Sequence, residues 1–493
     1  MIIVLGQGTG DYWVYQKDVG NTKYLELNKT TAAQTNSGAW NNTTPTDSVF
    51  TVGNGVPVNY SGQQYTAYLF ADNDGDGEFG PTGDQDIIKC GSYTGDDLDD
   101  GPEIDLGFEP QWLMVKNTST TRNWIIVDNM RGIPTGGNDA NLYPNLSNAE
   151  DPAQQIRLTP TGFKCEAGGD NFNGNGHTMI YIAIRRGPMA VPESATDVFD
   201  VVADTTTFSP SNTMGGILAD WMFGRARTAD AAINWFQSSR LSPKTMAFNA
   251  TGAEQSTQYV GFDRQTGIEW ENTWSNTSGT YASWYWKRAP NFFDVVAYEG
   301  TGSNQTIDHN LGVAPKFMIV KERTTTNNWV CYLEALGNDK RMALNAASSV
   351  ATDTTAWQST TPTDSAFYVG ANTQTNVSGE DFIAYLFGEV AGISKFGTYT
   401  GTGAAQNIDC GFSSGARFVL TKTYAGTNPN ANWNVWDSER GIVAGNDPYL
   451  ALNSTAAEVT STDVIDPYSS GFSLTSSGVA NNSGTSYWFY AIA

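Results

Sequence analysis

The chain has 493 residues and a net charge of −24, from 51 acidic and 27 basic side chains, and only 16% of its residues are charged. An electrostatic footprint for nucleic acid needs the opposite sign, and there is neither a basic amphipathic stretch nor an apolar run near the roughly 18 residues of a membrane span. Its surface must therefore be made mostly of Thr, Ser, Asn and Gly, while 39% hydrophobic and 12% aromatic residues suffice for globular cores.

The N-terminus, Met1-Ile2-Ile3-Val4-Leu5-Gly6, lacks a basic start and a full apolar region, so it reads as a strand and not as a secretory signal. Trp13 then opens a phrase that returns at Trp124, Trp235, Trp329 and Trp433. Each tryptophan is followed by an asparagine phrase: Leu27-Asn28, Pro144-Asn145, Phe248-Asn249, Leu344-Asn345 and Leu452-Asn453. Each copy closes on a turn glycine (Gly62, Gly176, Gly279, Gly379, Gly484) before an aromatic-rich strand. A fixed period means one structural unit used serially. Residues 40–70 align without a gap on 357–387, with 17 of 31 positions identical, and Trp-x3-Asp-x2-Arg-Gly-Ile pairs Trp124 with Trp433. The order is A-B-C-A-B, a pair duplicated around a divergent third member.

Short runs with β-branched or aromatic residues, bounded by Gly, Asn, Asp and Thr, predict strands at Phe293 to Tyr298, Gln305 to Asn310, Lys316 to Lys321, Trp329 to Leu333, Phe382 to Phe387 and Trp488 to Ile492. Asn41 to Asp47 reads as a loop, and Ala229 to Ser238 and Leu333 to Gly337 as short helical turns. The expected fold is all-β, with five serial antiparallel β-sandwich domains of about 100 residues. Their bounds are 1–87 with an acidic insertion at 71–87, 88–190, 191–290 (the divergent copy), 291–390 and 391–493. The short joints Ile184 to Pro192 and Lys287 to Pro290 predict a compact or semi-rigid row.

The first copy enters at its third strand, because Met1-Ile2-Ile3-Val4 aligns on Met318-Ile319-Val320 while Phe293 to Tyr298 and Gln305 to Asn310 lie upstream of the latter. A mis-assigned start or truncation, completion by another chain, and a tolerated incomplete sheet all account for this; a strand from a neighbouring chain would dock by strand addition. The four cysteines fall in different copies, and each replaces an apolar residue of a sister copy: Cys90 for Phe396, Cys410 for Leu106, Cys165 for Leu474, and Cys331 for Val435 and Ile126. They are expected to be buried thiols.

The sharpest motif is Asp72-Asn73-Asp74-Gly75-Asp76-Gly77-Glu78, with Asp84 and Asp86 close behind. Alternating carboxylates around a tight-turn glycine can wrap a hard cation, which makes Asp72, Asp74, Asp76, Glu78 and Asp84 candidate calcium ligands. Gly83 stands where a bidentate Glu belongs, and a solvated acidic loop is the other reading. His177 and His309 have no partners for a triad or a zinc site and read as structural or surface residues. The aromatics Trp270, Trp274, Tyr281, Trp284, Tyr285 and Trp286 could offer a sugar platform, but Trp284 and Trp286 occupy positions where sister copies place core residues. No catalytic residue can be selected.

The phrases FFDVVAYEGTGS (292–303), IDHNLGVAP (307–315), DGEFGPTGDQDIIKCGSYTG (76–95), LGFEPQWLMVKN (106–117) and IYIAIRRGPM (180–189) resemble a repeat module of bacteriophage virion proteins, abundant in phages of aquatic bacteria. The resemblance implies a non-enzymatic virion structural protein, a tail fibre or receptor-binding appendage. It would work with other virion proteins, as a homo-oligomer, against a host-surface glycan or protein. A capsid decoration or a polymerising fibre subunit joined by strand addition, and a polysaccharide depolymerase, are the alternatives. If the Asp72 to Glu78 loop holds calcium, chelation will lower the melting temperature and Asp74→Ala with Asp76→Ala will remove that response. At a hundredfold excess over Kd the stabilisation is about 2.7 kcal/mol, and equal melting curves with calcium and with chelator would exclude the site.

Overall fold

The computed structural model describes residues 1–8, 10–73, 75, 77–80, 83–153, 155–205, 213–228, 235–272, 280–426 and 431–493. The chain is almost entirely β, in several antiparallel sheets, and divides into two compact units, Met1–Met189 and Ala190–Ala493. The division falls inside the Ile184 to Pro192 joint. The Lys287 to Pro290 joint instead runs through the interior of the second unit. There Arg288 is buried, its guanidinium 2.7 Å from Asp294 and its N–H bonded to Asp220 at 2.7 Å.

One sheet order recurs. In the fifth copy Ser394–Thr400 lies beside Ser486–Ile492, then Phe418–Ala425, Trp433–Asp437 and Leu450–Ala451. The fourth copy runs Phe293–Glu299, Asp381–Phe387, Phe317–Glu322, Val330–Leu333, Lys340–Ala343, and the second and third copies follow the same pattern. In these four copies the last strand therefore sits between the first and the middle strands. A smaller sheet covers one face, as Gln406–Asp409, Gly471–Leu474 and Ile465–Tyr468 do in the fifth copy. Ile408, Phe472 and Leu474 from that sheet pack on Val419, Trp436, Phe489 and Ala491 from the larger one.

The last strand explains why simple alternation is hard to see in it. Phe382, Ala384 and Leu386 enter the core of their own sandwich, while Ile383, Tyr385 and Phe387 face the other way and are equally buried. A strand buried on both faces reads as a continuous apolar run. In the second unit the outward faces of three copies meet at one apolar centre. Trp221, Phe223, Phe248 and Trp286 come from the third copy, Phe317, Ile319, Leu344 and Phe387 from the fourth, and Phe418, Leu420, Leu452 and Tyr490 from the fifth. They enclose about 20 Å³, room for roughly one water. The expected row is, within this unit, a ring of three closed on itself.

In the second, fourth and fifth copies a buried asparagine before the closing turn ties the exit of the first strand to the rest. Asn376 Oδ1 accepts the Thr301 N–H at 2.6 Å, and Asn481 accepts that of Thr402 at 2.8 Å. Tyrosines on those first strands donate to the carbonyl just before it: Tyr298 to Thr375 at 2.6 Å and Tyr399 to Ala480 at 2.7 Å. Turn glycines Gly62, Gly176, Gly379 and Gly484 have φ between +67° and +82°, a region where a side chain would be strained; Gly279 lies outside the described residues.

The first copy forms a sheet in the order Gln34–Thr35, Lys23–Glu26, Tyr12–Tyr15, Ile2–Gly6, Tyr65–Leu69. Tyr65–Leu69 corresponds to the central Asp381–Phe387 of the fourth copy, yet among the described residues it pairs on one side only and is an edge strand. All four cysteines are free and buried. Trp284 and Trp286 are fully buried, but where copies meet and not in the core of their own sandwich, which Tyr281 and Tyr285 of the same strand enter. Leu333 to Gly337 contains the helical turn Glu334–Leu336, and Asn41 to Asp47 forms no strand or helix. Of the Ala229 to Ser238 segment, 229–234 lie outside the described residues and the remainder enters the strand Phe236–Ser239, because Phe236 faces the sandwich core.

Trp13 is not the counterpart of the other four tryptophans. Val4 pairs with Trp13 as Val320 pairs with Val330, so Tyr12 holds the place of Trp329. The Tyr12 N–H bonds Asn28 Oδ1 at 3.3 Å, as that of Trp329 bonds Asn345 at 3.1 Å. Trp13 turns into its own sandwich and stacks on Tyr24 at 4.0 Å.

Candidate functional site

In the acidic segment, Asp74 and Asp76 lie outside the described residues. Asp72 is engaged elsewhere: one oxygen accepts the Cys90 N–H at 2.8 Å and the other pairs with Lys17. Glu78 and Asp84 are exposed. The carboxylate that organises the loop is Asp86, which accepts the Gly75 N–H at 2.8 Å and the Gly77 N–H at 2.9 Å. Phe79 and Gln85 pair across the loop, and the Gly77 backbone comes so close that a Cβ would meet Gln85 O at 2.5 Å. Among the described residues no three of His, Cys, Asp or Glu gather around one point. His177 lies 3.1 Å from Asn117 and 3.4 Å from Asp170. His309 is buried, accepts the Leu311 N–H at 3.2 Å, and is shifted toward its neutral form by burial.

The side chains that the copies share converge on a different place. Each repeat tryptophan starts a strand that is held by the asparagine phrase of its own copy. Trp124, Trp329 and Trp433 give their backbone N–H to Asn145, Asn345 and Asn453 at 3.0, 3.1 and 2.9 Å. Those amides in turn donate to Asn123, Asn328 and Asn432 at 2.8 to 2.9 Å. The asparagine thus sets the strand so that the indole points away from its own sandwich.

Each indole N–H then reaches a carbonyl of the neighbouring copy. Trp124 donates to Glu26 at 2.9 Å, Trp329 to Ala247 at 3.0 Å, Trp433 to Ala343 at 3.0 Å and Trp235 to Ala451 at 2.9 Å. Every acceptor is the residue just before the Leu-Asn or Phe-Asn phrase. In the second unit the direction runs fourth to third, fifth to fourth and third to fifth, which closes the ring; in the first unit it runs second to first.

A cation pairs with each of these tryptophans across the sheet: Lys116, Arg225, Lys321 and Lys422. Arg225, Lys321 and Lys422 lie 5.5, 6.0 and 5.5 Å from the indole centroids. Lys116 donates to Thr30 at 2.9 Å, Lys321 to Thr251 at 3.4 Å and Arg225 to Ala456 at 2.7 Å, each a carbonyl of the neighbouring copy. Burial pushes the three lysines down to about 8 and Arg225 to about 10. Sequence reasoning missed these cations, since they stand 8 to 11 residues before the tryptophan and the spacing varies.

Where the third copy meets the fifth, an ion cluster completes the joint. Arg440 bonds Asp437 at 2.6 Å and Glu458 at 3.0 Å. Trp284 stacks on Arg440 at 5.1 Å and donates to Asp437 at 3.0 Å, while Arg227 reaches Glu458 at 2.9 Å. Asp437 and Arg440 belong to the Trp-x3-Asp-x2-Arg-Gly-Ile phrase, so a signal was present, though its role was not. This is a device for joining copies.

Trp433→Phe will remove one inter-copy hydrogen bond and strand a buried carbonyl, costing about 1–3 kcal/mol in denaturant unfolding. Trp13→Phe, which breaks no such bond, will cost less. A lysine whose folded value lies near 8 and whose unfolded value is 10.5 makes the unfolded chain the more protonated state between them, so its contribution to stability rises with pH in that window. Lys422→Met should therefore gain stability relative to the parent at pH 7 and lose part of that advantage by pH 9. A constant difference would contradict the assignment.

Residues 1–188 and 194–493 match the family described as a domain of unknown function, DUF7483, and the chain belongs to that family. No curated protein matches it.

Proposed function

We propose that this DUF7483 protein is a bacteriophage virion structural protein, a tail fibre or receptor-binding appendage that displays loops on rigid β-modules. One observation carries the reading most directly: the side chains that recur from copy to copy are spent on joining copies. A catalytic centre concentrates unusual groups at one place, whereas a scaffold repeats its joint. The Thr-, Ser-, Asn- and Gly-rich surface, the net charge of −24 and the virion-like phrases at 76–117, 180–189 and 292–315 support the same class. Its partners would be other virion proteins, further copies of itself and a glycan or protein of the host surface.

A second reading, a capsid decoration or polymerising subunit joined by strand addition, is favoured by the edge strand Tyr65–Leu69, whose open side could take a strand from another chain. Purified protein labelled with a fluorophore should adsorb to host cells and compete with infection if it is a receptor-binding appendage. Immunogold labelling should place it on tails in that case and on heads for a decoration protein. Absence from virions together with no adsorption would reject both. Release of reducing sugar from host polysaccharide would point instead to a depolymerase.

A further inference from the structure

The first unit carries the same joint as the second but only two of its three places are filled. We infer that the third place is a docking site for a further β-sandwich copy of the divergent type found at 191–290. The inference does not depend on the virion reading.

The second unit shows what covers the corresponding faces. Arg131 in the second copy bonds Asp128 at 2.7 Å and Glu150 at 3.1 Å, the same arrangement as Arg440 with Asp437 and Glu458. In the fifth copy those three side chains are 0%, 0% and 4% exposed, because Trp284 and Arg227 of the third copy seal them. Arg131, Asp128 and Glu150 are 20%, 18% and 48% exposed. Leu142, which takes the place of the fully buried Leu450, is 36% exposed. The acidic excess of the cluster asks for a cation, and Arg227 is the cation that answers it in the second unit.

The first copy is open at the matching place. Tyr385 of the fourth copy is fully buried and donates to Gln237 of the third at 2.7 Å. Its counterpart Tyr68 is 51% exposed. Two faces on two copies are thus exposed at the positions that one divergent copy covers in the second unit. Continuity with an interface already built elsewhere in the chain selects the occupant: a sandwich carrying a tryptophan at the position of Trp284 and an arginine at that of Arg227. Burying exposed leucine and tyrosine surface supplies the driving force, and the ion cluster supplies the register.

The test supplies such a copy covalently, where effective concentration favours docking. Residues 190–316 are placed ahead of Met1 of the full chain, since Met1 occupies the register of Phe317. Cysteines introduced at Tyr68→Cys and Leu142→Cys report accessibility, both positions being exposed and the native cysteines buried. The prefixed chain should react with a thiol reagent at least about tenfold more slowly at both sites, and its first unit should melt at a higher temperature. Trp284→Ala with Arg227→Ala in the prefix alone should return Leu142→Cys toward the unprefixed rate. Hydrogen exchange of the prefix verifies that it folds. A folded prefix that leaves both sites reactive would overturn the inference, and so would a prefix that stays unfolded beside an intact first unit. Protection of both sites in the unprefixed chain, with a dimer in light scattering, would assign the face to a second molecule of this chain and overturn it equally.

Discussion

Everything in the second unit depends on an indole that leaves its own sandwich. The last strand of each copy is apolar on both faces, and a single sandwich can cover only one of them. The uncovered face carries large aromatics such as Trp286, Phe387 and Tyr490, whose exposure would cost several kcal/mol for each copy. Apolar contact alone would allow many ways of pairing such faces. The tryptophan N–H adds direction, because its acceptor is one particular carbonyl beside the asparagine phrase of the next copy. Repeating that single relation turns each copy by the same amount, and in the second unit three turns close the ring.

The buried cations give the joint its selectivity. A lysine taken out of water loses solvation, which is why Lys116, Lys321 and Lys422 all titrate well below free lysine. Carbonyls and an indole face compensate, but only when the neighbouring copy is seated correctly. A misplaced neighbour would leave the charge stranded, and that penalty is larger than any gain from a correct pair. The Asp437–Arg440–Glu458 cluster works in the same way at the one joint where the divergent copy meets a B-type copy. Divergence of the third copy is thus explained by what it must recognise on either side.

The acidic loop at 72–86 illustrates how a motif can be read for one chemistry and used in part for another. Asp72 anchors the loop to Lys17 and the Cys90 backbone, and Asp86 collects the N–H groups of two glycines. Carboxylates accepting backbone N–H groups are a common way of holding a tight loop without regular secondary structure. Composition alone cannot separate that use from cation binding, because both need oxygen acceptors at alternate positions around glycine.

The amino-acid sequence by itself determined the all-β class, the repeat, strands such as those at Phe293 to Tyr298 and Trp488 to Ile492, the turn glycines and the buried thiols. Each of these rests on local pattern: alternation, turn chemistry, or substitution between sister copies. It also placed the Trp-x3-Asp-x2-Arg phrase and the asparagine phrases on the page as recurring text. Their purpose was decided only by tertiary structure, because a hydrogen bond from Trp235 to Ala451 joins residues more than two hundred positions apart. The substitution of Tyr12 for the first tryptophan was likewise settled by strand register, which a one-residue shift in a gapped phrase conceals. The ring in place of a row has the same origin: a period reveals that units repeat, while the angle between them belongs to the surfaces that meet.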